Sequence, residues 1–73
     1  MTAPTHVTGD AVIASQPALR GGYIILADQG PGHQLRWVTG WLARDETVLT
    51  YRNFFHHESA ARLDFNQRCQ RGC

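Results

Sequence analysis

The chain contains no lysine: its seven basic residues are all arginine, set against six acidic residues for a formal charge of +1. Without lysine there is no Schiff-base nucleophile, no phosphate-loop lysine and no Ser-Lys dyad. The bias fits coding in a GC-rich bacterial genome more simply than a selected need for arginine's planar fork. The near-neutral balance also lacks the basic surplus with which a nonspecific nucleic-acid binder neutralises phosphates. Cysteine is nearly absent, with only Cys69 and Cys73 at the extreme C-terminus, so a disulfide framework is excluded. Long apolar runs are missing too. The longest, Tyr23 to Ala27, falls far short of a bilayer span. The N-terminal stretch MTAPTHVTGDAVIAS has neither the basic start nor the apolar segment of a secretory signal, which predicts a cytoplasmic protein.

What is present is a short chain rich in aromatics over one stretch. Seventy-three residues make a single domain, and such a chain buries only roughly 60% of its unfolded surface, so a partner subunit is an expected source of extra stability. Residues 1–10, mostly Thr, Ala, Pro and Gly without apolar periodicity, read as a flexible tail, leaving residues 11–73 as the folded unit. Ala11, Val12, Ile13 and Ala14 read as a short edge strand, and residues 16–22, with Pro17, Gly21 and Gly22, as a connection. Tyr23–Asp28 (YIILAD) is a β-rich run followed by the Gly30-Pro31-Gly32 loop. Both tryptophans, one of two tyrosines and two of three phenylalanines fall within Arg36 to Phe55. The patch Arg44-Asp45-Glu46-Thr47 divides that stretch into strands over residues 34–43 and 47–55, joined as a hairpin. After Phe55 the composition turns helical: Ser59 is a candidate N-cap, Arg68 and Arg71 suit the negative end of the dipole, and Gly72 suits the stop. Ala61, Phe65 and Cys69 form a narrow apolar stripe that would lie on the sheet. The expected fold is α+β: an antiparallel sheet of three strands, or four if the 11–14 segment joins it, with one C-terminal helix packed on one face.

A turn tipped by Asp45 and Glu46 sets Leu42 against Leu49 and Gly40 against Tyr51. One face then carries Val38, Leu42, Leu49, Tyr51 and Phe55, assigned to the helix, with Gly40 leaving room for the Tyr51 ring. The other carries Trp37, Thr39, Trp41, Thr50, Arg52 and Phe54. Both faces are too apolar for a sheet with one wet side. The second face therefore needs the N-terminal segment, a second subunit or a ligand to cover it.

Chemistry is thin elsewhere. Ser15 and Ser59 lack any nucleophile motif, and cysteines near a helix C-terminus have their thiolates disfavoured by the dipole. His33, alone in a loop, could act as a base but has no visible partner. His56 and His57 with Cys69 and Cys73 could supply zinc ligands, although their spacing lacks the tight knuckles of structural sites. The expectation is a non-catalytic interaction or accessory module without cofactor. Its contact surface would be Trp37, Thr39, Trp41, Thr50, Arg52 and Phe54, its partner a second copy or another protein, with no membrane association. Stacking of single-stranded nucleic acid on the same face is the alternative, and a zinc-stabilised module the next.

Overall fold

The computed structural model describes residues 4–7 and 9–71. It is α+β, with five antiparallel strands and one C-terminal helix packed against the sheet: β1 His6–Val7, β2 Asp10–Pro17, β3 Tyr23–Asp28, β4 Trp37–Leu42, β5 Thr50–Phe55 and α1 Glu58–Arg71. The strands form a meander in the order β1-β2-β3-β4-β5. YIILAD forms β3 as its β-branched residues predict, and the hairpin strands form over Trp37–Leu42 and Thr50–Phe55, each starting three residues later than the expected 34–43 and 47–55. Two strands were missed or truncated. His6, Val7 and Asp10, expected in a flexible tail, lie in strands, and Val7 is only 1% exposed. A two-residue strand has no periodicity to read; it forms because its neighbour offers a ladder and the core offers Val7 a place.

The central strand shows why both sheet faces had to be dry. Ile24, Ile25, Leu26 and Ala27 are all fully buried, although successive side chains point to opposite faces. On one face, Ile25 and Ala27 join Val7, Val38, Leu42 and Leu49 in a core cluster, with Val12 and Tyr23 packed against it. Val7 comes from one end of the sheet and Leu49 from the approach to the other, so the sheet curls toward this face into a half-barrel. Bulges between Val12 and Ala14 and between Thr39 and Trp41 assist that curl. The opposite face is covered by α1, which lies over β3, β4 and β5. The N-terminal segment and the curl thus close the Val38 and Leu42 face that was assigned to the helix, and α1 takes the Trp37, Thr39 and Trp41 face for which the N-terminal segment, a subunit or a ligand was expected.

The helix begins one residue earlier than its expected cap. Ala61 N donates to the His57 carbonyl at 3.2 Å, so the chain enters the helix at His57, and Ser59 lies inside the first turn. The Gly72 stop lies outside the described residues. Ala61 is fully buried and Phe65 and Cys69 are half-buried, as the stripe requires. No helix among the described residues is long and apolar enough to cross a membrane.

Two connections are tightly specified. Gly22 (φ 69°) turns the chain from β2 into β3, and a Cβ there would stand 2.2 Å from the Leu42 carbonyl oxygen, so no side chain fits. In the β3–β4 loop, Asp28 accepts from Gly30 N at 2.8 Å and pairs in a fork with Arg36, at 2.7 Å from Nε and 2.9 Å from Nη2. The Arg36 hydrogen bonds, helped by the Gly30 N–H, hold the Asp28 carboxyl down at about 2 against an ordinary 3.8. Because the folded value is depressed, its contribution is complete above about pH 4 and is lost as pH falls from there through about 2. Urea unfolding across that range should show the gap between wild type and Asp28→Asn closing as pH falls. Val7→Ala should cost about 2 kcal/mol in the same assay, the loss due to a buried residue rather than a tail residue.

Candidate functional site

The six residues expected to share one face do not. Trp37 and Phe55 pair across β4 and β5, as do Val38 with Phe54 and Thr39 with Asn53, but Trp41 pairs with Thr50. Gly40 on β4 therefore opposes two residues, Tyr51 and Arg52, and the parity of β5 reverses at that point. Trp37, Thr39 and Trp41 lie on the α1 side. Phe54 stands opposite Val38, and with Arg52 it lines a small recess that also includes Val7, Val38 and Leu49, on the other side of the sheet. Phe55 lies on the helix side as expected, but Val38, Leu42 and Leu49 lie in the enclosed core rather than under α1. The space beside Gly40 is taken by the Leu49 side chain and the Thr50 carbonyl, not by the Tyr51 ring.

The helix docks through polar contacts. Thr39, fully buried, donates from Oγ1 to Asp64 Oδ2 at 2.5 Å, and Arg68 Nε donates to the same oxygen at 2.9 Å. Arg68 Nη2 also donates to the Tyr51 carbonyl at 2.7 Å, and the Asn53 amide, turned with its oxygen toward Arg68, accepts from it at 3.1 Å. Burial pushes the Asp64 carboxyl up, but the Thr39 and Arg68 hydrogen bonds outweigh it and the net shift is downward, keeping Asp64 ionised.

Beside this network lies a cleft of about 520 Å³ lined by Arg20, Trp41, Tyr51, Asn53, Asp64, Arg68 and Arg71. Its walls come from the β2–β3 turn, the β4–β5 bulge and the C-terminal half of α1. Trp41 Nε1 donates to the Gly21 carbonyl at 2.9 Å, which ties the turn bearing Arg20 to β4. Tyr51 has φ 54°, a left-handed backbone unfavourable for a side chain with a Cβ, and its ring is 79% exposed. The ring centroid lies 6.4 Å from that of Trp41. A strained residue holding an exposed aromatic at the lip of a cleft is the kind of outlier from which a binding role is argued. Sequence reasoning missed Tyr51, Arg20, Asn53, Asp64, Arg68 and Arg71 as a group. Three segments remote in sequence, the β2–β3 turn, β5 and α1, meet there only after the bulge turns Tyr51 outward.

The remaining candidates are separate. Thr50 is exposed on β5 and donates from Oγ1 to the Trp41 carbonyl at 3.2 Å. Ser15 is half-buried in β2, and His33 lies exposed in the β3–β4 loop. His56 Nδ1 lies 3.2 Å from the Gln34 carbonyl, and burial pushes the Cys69 thiol up, away from thiolate chemistry. Cys73 lies outside the described residues, and among those described no three His, Cys, Asp or Glu side chains come together as a metal site.

Fold and site define a small α+β domain, a curled five-stranded antiparallel sheet backed by one helix with an arginine-lined cleft at their junction. Compared with family models, characterised proteins and solved structures, the chain matches none. Because glycine is at ease at φ 54°, Tyr51→Gly should leave stability unchanged or raise it by about 1 kcal/mol in denaturant unfolding.

Proposed function

We propose that the chain is a non-catalytic interaction module that homodimerises by edge pairing of β5. The observation that carries this reading is that β5 is an edge strand whose first five residues, 50–54, are all exposed, Tyr51 and Phe54 among them. Its outer row of backbone N–H and C=O groups is a template for another strand, and no proline or lysine guards it. The regular part beyond the bulge, residues 52–55, can pair with a second copy and extend the meander antiparallel. Arg52 and Phe54 of the expected contact surface stay in this proposal, and Thr50, paired with Trp41 short of the bulge, does not. Trp37, Thr39 and Trp41 leave it, because α1 lies on their face, and the same helix takes up the sheet face on which nucleic-acid bases were expected to stack. Val48, half-exposed just before β5, adds apolar surface to the edge.

Light scattering on a size column tests it. The wild-type chain should elute as a dimer and Phe54→Lys as a monomer with an unchanged circular dichroism spectrum. A wild-type chain that stays monomeric at millimolar concentration overturns the reading.

A further inference from the structure

We propose that the cleft between α1 and the β4–β5 bulge binds a phosphate ester whose molecule also carries a separate flat aromatic ring, the chemistry of a nucleotide. The argument is independent of β5 pairing and begins with charge. Three guanidinium groups, those of Arg20, Arg68 and Arg71, line the cleft against one carboxylate, Asp64. That carboxylate is already engaged by Thr39 and Arg68. A chain of formal charge +1 thus gathers three of its seven arginines around one cavity. An anion answers Arg20, which has no carboxylate beside it among the described residues, and a phosphate monoester, at roughly −1.5 to −2 near neutral pH and with three acceptor oxygens, can take hydrogen bonds from Arg20 and Arg68 together.

The arginines have different roles. Arg68 is held by Asp64 Oδ2 and the Tyr51 carbonyl, with its side chain 15% exposed, so its guanidinium is ordered before any ligand arrives. Arg20 stands exposed on the turn that Trp41 Nε1 fixes in place, where it can close on a bound anion. The apolar requirement comes from the two rings. Trp41 and Tyr51, tilted by 51° to one another, offer flat surface beside the cations, and base–aromatic contact contributes about 1–3 kcal/mol per base. The volume, about 520 Å³, lies within the roughly 300–1,000 Å³ of small-ligand clefts. The backbone strain at Tyr51 then has a use, because a relaxed extended residue at that position would not carry its ring to the same place.

A free mononucleotide and the phosphorylated end of a single strand share this chemistry. Tryptophan fluorescence of the wild-type chain, titrated at low salt with adenosine and uridine monophosphates, the parent nucleosides and inorganic phosphate, tests for it. At least one monophosphate should saturate the signal, bind about tenfold or more tightly than its nucleoside and than phosphate alone, and weaken with added salt. Arg20→Ala should weaken that binding about tenfold and Tyr51→Gly should weaken it too, each with an unchanged circular dichroism spectrum. An oligonucleotide with a terminal phosphate that binds more tightly than the monophosphate supports the site and assigns it to strand ends. One that binds no better supports it and assigns it to the free nucleotide. Absence of a saturable change with either monophosphate, or equal affinity for monophosphate and nucleoside, overturns the proposal.

Discussion

The structure depends on one extra residue in β5. Where Gly40 faces both Tyr51 and Arg52, the hairpin changes parity, and every side chain beyond that point moves to the opposite face. Below the bulge Leu49 belongs with Leu42 in the enclosed core; above it Phe55, not Phe54, joins the helix side. The bulge forms where β4 carries a glycine. A Cβ on Gly40 would stand 3.0 Å from the Thr50 carbonyl and 3.1 Å from the Leu49 Cβ, so the backbone of the incoming strand can crowd β4 only there.

The bulge also determines how the helix is held. With Thr39 and Asn53 facing α1, the docking surface includes a buried hydroxyl and an amide among apolar groups, and α1 answers with Asp64 and Arg68 one turn apart. The arginine then reaches back to the carbonyl of the bulged residue itself. A half-buried carboxylate without these donors would carry a desolvation cost; with them the side chains specify where along the sheet the helix rests. The same contacts leave the C-terminal half of α1 beside Tyr51 and the β2–β3 turn, and the cleft is the space between them.

Much of this was legible in the chain. YIILAD as a strand dry on both faces, a turn within Arg44-Asp45-Glu46-Thr47, the Ala61-Phe65-Cys69 stripe and the α+β class all follow from composition and periodicity, which act locally, although the tight turn closes around Arg44 and Asp45 rather than Asp45 and Glu46. The near-turn register was legible as well, since Trp41 pairs with Thr50 as an Asp45-Glu46 tip requires. Val7 was not, because a single valine among polar residues has no pattern and earns its burial only from a core assembled by distant strands. The grouping of the aromatic face failed for a sharper reason: period-two reasoning carries a register error of one residue into a complete exchange of faces.

The sequence by itself determined the kinds of element, their order, the dryness of both sheet faces and the absence of lysine chemistry, because those depend on residue type and short spacing. Tertiary structure alone decided which face α1 covers, that the N-terminal residues complete the core, and that Arg20, Trp41, Tyr51 and Arg68 share a cleft. The physical reason is steric. The bulge arises from how closely two backbones approach at Gly40, and that distance is set by packing across the whole sheet rather than by any residue's own preference.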